Sequence, residues 1–115
     1  MVVKVKSNTT MSDVTGRVNY YYKRANEIHK LIADDENEAE RQYTILYKRQ
    51  KQDNHELWLV RNEAIINNNR PLELYRGFLS HLGFIENTKK NIKWNLNEFR
   101  QGKNWFDAEL KKMGD

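Results

Sequence analysis

The chain has 115 residues, 38% of them hydrophobic and 11% aromatic, enough for one core and too few for two. This apolar content excludes a disordered chain even though charged residues reach 31%. The absence of cysteine excludes a disulfide framework and thiolate chemistry, and apolar runs of four residues or fewer, such as Leu57–Val60, exclude a membrane span and a signal-peptide core, so a single soluble, cytoplasmic domain is expected.

The formal charge is +4, the pI is about 9.3, and the charge is unevenly placed. Residues 1–30 set Lys4, Lys6, Arg17, Lys23, Arg24 and Lys30 against Asp13 and Glu27. Residues 34–40, "DDENEAE", carry Asp34, Asp35, Glu36, Glu38 and Glu40 and no cation. Such asymmetry suits contact with nucleic acid or a nucleoprotein. The plain alternative is a solvated surface with local charge blocks.

In chain order, "VVKVK" at 2–6 alternates valine with lysine, the period of a half-buried strand. The polar "SNTTMSD" leads to a helix N-cap at Ser12 or Asp13. Val14, Val18, Tyr21, Ala25, Ile28 and Ile32 then recur at steps of four and three, one helical stripe with Asn19, Lys23, Asn26 and Lys30 opposite. The acidic stretch 34–40 fits a second helix start or a loop. "YTILYKR" at 43–49 is rich in β-branched and aromatic residues and reads as a strand. The polar "KRQKQDNHE" should end it, and "ELWLVRNEAIINNN" fits a short helix better than the return strand of a hairpin. Pro71 suits the first turn of a helix whose apolar side is Leu72, Tyr75, Phe78, Leu79 and Leu82, with Gly83 ending it. A last helix runs from about Phe84, with Ile85, Ile92, Leu96 and Phe99 on one stripe; Gly102 interrupts it before Trp105, Phe106, Leu110 and Met113.

Catalytic patterns are not evident. His29, His55 and His81 stand apart without a metal-ligand spacing, the five glycines are scattered rather than gathered in a phosphate loop, and the only crowded carboxylates are the exposed acidic run. No metal or cofactor is expected. Binding residues are easier to nominate. In the triplet Tyr20-Tyr21-Tyr22, Tyr21 lies on the apolar stripe while its neighbours flank it, so the corner Tyr22, Lys23 and Arg24 is a binding candidate. Lys48, Arg49 and Lys51 form a second basic group able to meet phosphates. Trp94 faces away from the last helix's stripe with Lys90 and Lys93, the composition of a binding hot spot. Trp58 and Trp105 sit in apolar surroundings and are expected in the core. The acidic run could imitate a nucleic-acid backbone in a partner's basic groove.

The order "VVKVKS…SDVTGRVNYY…AERQYTILYKRQKQDNHELWLVRNEAI" resembles, over about the first 65 residues, the start of MobA/MobL-like relaxases of Gram-positive conjugative elements. The matching residues are Gly16, Arg17, Val18 and Tyr20, then Arg41 and Gln42, then Trp58. The resemblance implies a first strand, a helix, a strand and a Trp-containing helix. A relaxase of this type nicks DNA with a tyrosine and a histidine-held metal; this chain lacks the histidine cluster, so Tyr20 and Tyr21 are not expected to be nucleophiles. What the likeness implies is a plasmid or phage origin. In size, charge asymmetry and lack of catalytic residues the chain also resembles, as a class, the type II anti-CRISPR proteins of mobile elements.

The expected fold is therefore α+β, mostly helical, with a small sheet from 2–6 and 43–49 and a helical half over 71–113; if 43–49 and 57–61 are helical, an all-α bundle results. The expected function is a non-enzymatic inhibitor that binds a bacterial defence nucleoprotein, such as a CRISPR effector nuclease or its guide RNA. The competing expectation is a DNA-binding accessory protein of conjugation or phage replication.

Overall fold

The computed structural model describes residues 8–61, 69–81 and 92–114. The expected strand over 2–6 lies outside them, as do Leu82, Gly83, Ile85 and Lys90 and the side chains of Lys93 and Trp94.

Thr10, rather than Ser12 or Asp13, starts the first helix, α1 (Met11–Asp34). Its hydroxyl accepts the Asp13 N–H at 3.2 Å, and the Asp13 carboxylate accepts the Thr10 N–H at 3.0 Å, a reciprocal capping box. The Thr10 backbone bond, seconded by the hydroxyl bond, holds the Asp13 carboxyl below the usual carboxylate range. Val14, Val18, Tyr21, Ala25 and Ile28 are all buried, as their spacing predicts.

Asp35 alone joins α1 to α2 (Glu36–Arg61). Its N–H donates to the Leu31 carbonyl at 2.7 Å, and its carboxylate accepts the Glu38 N–H at 3.1 Å. One acidic residue thus caps the end of one helix and the start of the next. Glu36 and Glu38 follow in the first turn of α2, where negative charge meets the positive end of the helix dipole. Hydrogen bonds from Arg41 and Gln42 hold the Glu38 carboxyl down at about 2.

Helix α2 overturns two sequence expectations. Residues 43–49 are helical rather than a strand, and "KRQKQDNHE" continues the helix rather than ending it. The cause lies in packing. Ala39, Tyr43, Leu46, Gln50, Asp53, Leu57 and Val60 recur at steps of four and three, and all are buried. This seven-residue repeat matches the stripe on α1, so the two helices pair along their length. Strand preference of Tyr, Thr and Ile is a weak bias that such packing overrides.

Asn69 caps α3 (Arg70–His81), accepting the Leu72 N–H at 3.1 Å, and Pro71 lies in its first turn as expected. Helix α4 (Ile92–Gly114) passes straight through Gly102, which is buried and does not interrupt it. A glycine inside a helix costs about 1 kcal/mol relative to alanine. Burial of Phe99 and Phe106 on either side, each worth about 2 kcal/mol, outweighs it. The described residues therefore form four helices and no strand, the all-α alternative.

Helix α1 packs on the other three, and α3 packs on α4 and, more lightly, on α2. At the centre, the Tyr21 ring lies 5.8 Å from that of Phe99 and 6.1 Å from that of Phe78, and Phe78 meets Phe106 edge-on at 6.4 Å. Trp105 packs against this core from its margin, over Gly77. A Cβ on Gly77 would lie 2.2 Å from the indole, so the close approach requires glycine there. Trp58 departs from expectation: 54% of it is exposed, because it lies about a quarter turn off the buried stripe of α2.

Candidate functional site

The polar segment of α2 carries a residue that the core is built around. Asp53 is buried, and its Oδ2 accepts the phenol hydroxyls of Tyr21 at 2.7 Å and Tyr75 at 3.0 Å. Arg17 Nη1 stands 3.8 Å from Oδ1, and the same guanidinium lies 5.8 Å from the centre of the Tyr75 ring. One carboxylate thereby joins α1, α2 and α3. Both hydrogen bonds fall on Oδ2, and among the described residues Oδ1 is balanced only by the nearby Arg17 charge; together they offset the cost of burying the carboxylate. Burial first, and the neighbouring phenol and carboxylate next, push the Tyr21 hydroxyl far above its usual range; burial and then Asp53 raise Tyr75.

These facts bear on chemistry. A tyrosine nucleophile must be accessible and readily deprotonated; Tyr21 is sealed in the core, and its proton is held by an acceptor that also stabilises the fold. Tyr20 is partly exposed, but its ring is covered by the Arg49 guanidinium, centred 4.0 Å above it. Among the described residues no three imidazoles or carboxylates converge as metal ligands.

The nominated basic residues are not brought together. Tyr22 turns toward α4, where Lys103 Nζ lies 5.9 Å from its ring. Lys23 is exposed on the outer side of α1. Arg24 turns toward α2, pairing with Glu27 and donating to Gln42 Oε1 at 2.6 Å. Lys48, Arg49 and Lys51 likewise spread around α2: Arg49 faces α1 over Tyr20, Lys48 points outward, and Lys51 lies on the flank that turns to α3. Of the acidic residues, Asp35 is a cap and Glu38 is paired with Arg41, while Asp34 and Glu36 are exposed at that helix turn.

The Lys51 flank opens into a groove between α2 and α3, with a volume of about 460 Å³. Lys51, Asn54, His55 and Trp58 line it from α2, at the helical spacing of one face, with Leu57 at its base; Arg76 and Ser80 line it from α3, four residues apart. The His55 and Trp58 rings lie within 16° of parallel, their centres 6.5 Å apart. Among the described residues no carboxylate lines the groove. Neither Lys51 nor Arg76 has a carboxylate partner among the described residues; Lys51 Nζ lies 5.3 Å from the Tyr47 ring. Sequence reasoning nominated Lys51 together with Lys48 and Arg49, weighed His55 only as a metal ligand and set it aside, assigned Trp58 to the core and passed over Arg76. The signal was present: 51, 54, 55 and 58 share one helical face once 43–61 is read as a single helix.

No family model, curated protein or solved structure matches the chain. The likeness to relaxases therefore stands on the quoted residues, and the helix over 43–49 departs from the strand that it implies at that point.

Proposed function

We propose that the protein is a non-enzymatic binding protein of a plasmid or phage that engages a bacterial nucleoprotein and inhibits it, in the manner of an anti-CRISPR protein. The observation that supports this reading best is the α2–α3 groove, which presents an exposed indole, two cations and the polar groups of Asn54 and Ser80, with no carboxylate among the described residues. Cations supply affinity for phosphate backbones, and exposed aromatic rings supply contact with bases or with partner side chains. The sealed Tyr21 favours binding over strand transfer, because the tyrosines of the Gly16–Tyr22 segment serve packing and ring contacts. The exposed carboxylates Asp34 and Glu36 offer a second, acidic contact for a basic surface of the same partner.

Tagged protein expressed in a Gram-positive host should capture a complex that contains both protein and nucleic acid, identified by mass spectrometry and sequencing, and addition of the protein should inhibit that complex's activity. Capture of no nucleic-acid-containing complex would contradict the proposal. Direct binding of duplex DNA, weakening steeply with salt and with no protein partner, would favour an accessory role in conjugation or phage replication instead.

A further inference from the structure

We infer that the α2–α3 groove is a binding site for an unstacked base of single-stranded nucleic acid, held by the face of Trp58 with its flanking phosphates on Lys51 and Arg76. The inference deepens the proposal that the protein engages a nucleoprotein, and names the part of that partner the groove receives.

Three observations carry it. First, the indole is half-exposed within a concave site rather than on an open surface, and the site's volume of about 460 Å³ lies within the range typical of small-ligand pockets. Second, the charge is of one sign. Lys51 and Arg76 enter from opposite walls, and among the described residues no carboxylate joins them in the lining, so the complementary ligand is anionic. Third, Asn54 supplies an amide that can both donate and accept, as the edge of a base requires, while the Ser80 hydroxyl, which donates to the Gly77 carbonyl at 2.7 Å, keeps its lone pairs free to accept; His55 extends the aromatic wall alongside Trp58.

Lys51 and Trp58 are two helical turns apart on α2, about 10 Å, which leaves room for one nucleotide and its phosphates. A duplex keeps its internal bases stacked and offers the indole a free face only at its two end pairs. The carboxylates of an acidic peptide would satisfy the cations but would leave the indole face uncovered. Aromatic stacking plus cations is the combination by which single strands are held with little sequence preference.

The test is a fluorescence anisotropy titration of a dye-labelled ten-nucleotide thymidylate strand, and of a blunt duplex of equal length, against the whole protein. The single strand should bind about tenfold more tightly than the duplex. Trp58→Ala should weaken single-strand binding by about ten- to a hundredfold, and Trp58→Phe should retain most of it. Arg76→Ala should weaken it and lower the slope of log affinity against log salt by about 0.7, the value for one phosphate contact on a single strand. Trp58 and Arg76 are exposed, so unchanged thermal unfolding separates lost binding from lost structure. Equal affinity for strand and duplex, or a Trp58→Ala protein within twofold of wild type, would overturn the inference. If the oligonucleotide does not bind but a nucleoprotein is still captured, the groove assignment fails and the proposed function stands; if the strand binds and no nucleoprotein is captured, the reverse holds.

Discussion

Replacing Asp53 by alanine removes the acceptor shared by two buried phenols and the counter-charge of Arg17. Hydrogen bonds to a charged acceptor contribute about 1.5–3 kcal/mol each, and breaking a buried ionic group by removing one partner costs about 3–5 kcal/mol. Two such bonds end on one oxygen, so a loss of about 4 kcal/mol is expected, a large part of the 5–15 kcal/mol that holds most domains folded. Tyr21→Phe deletes a single donor and leaves Asp53 bonded to Tyr75, so about 1.5 kcal/mol is expected. In the Asp53→Ala background the same change relieves an unsatisfied buried hydroxyl and should be neutral or stabilising. The coupling should therefore be at least about 1.5 kcal/mol, well outside the additive range of about 0.5 kcal/mol. Urea unfolding followed by far-UV circular dichroism at neutral pH gives all four values. An Asp53→Ala cost below about 1 kcal/mol, or an additive cycle, would refute the account of the core as organised by this carboxylate.

Alkaline pH should act through the same cluster. Tyr21 and Tyr75 have folded pKa values above the unfolded one, so their contribution is complete below about pH 10 and falls as pH rises toward the folded values. Each phenol should lose about 1.4 kcal/mol per pH unit above 10. The Tyr21→Phe protein should show a shallower decline than wild type between pH 9 and 11, by about 1.4 kcal/mol at the upper end; parallel declines in the two urea-unfolding series would count against the coupling. Alanine at two glycines should have opposite effects. Gly16 lies in α1 with open space around its Cβ position, so Gly16→Ala should stabilise by about 0.5–1 kcal/mol. Gly77→Ala must displace the Trp105 indole and should cost about 1–3 kcal/mol despite the better helix propensity, with a shift in Trp emission; equal gains from both would contradict the packing.

How far the sequence could be read depended on whether its apolar positions were continuous. The α1 stripe from Val14 to Ile28 has no polar member, and each of its residues is where the spacing predicts. The α2 stripe has the same steps but passes through Gln50 and Asp53. Polar residues at core positions hide the repeat, because their burial depends on partners, Tyr21, Tyr75 and Arg17, that are distant in sequence. Once α2 is broken at 48–56, Trp58 falls into an apparently apolar cluster and the face shared by Lys51, His55 and Trp58 is lost. Arg76 could not be linked to that face at all, since the seam between α2 and α3 is a tertiary fact. Gly102 misled in a similar way: a local helix penalty was weighed without the phenylalanines that offset it.

The most direct measurement is an NMR titration of the whole protein with the ten-nucleotide thymidylate strand, following the indole N–H resonances, which report Trp58 and Trp105 separately once assigned by substitution. The Trp58 indole and the backbone amides of Lys51, His55 and Arg76 should shift together and saturate, while Trp105, packed over Gly77, stays in place. A Trp58 resonance that does not move, with shifts gathered instead around Tyr22 and Lys23, would contradict the groove assignment.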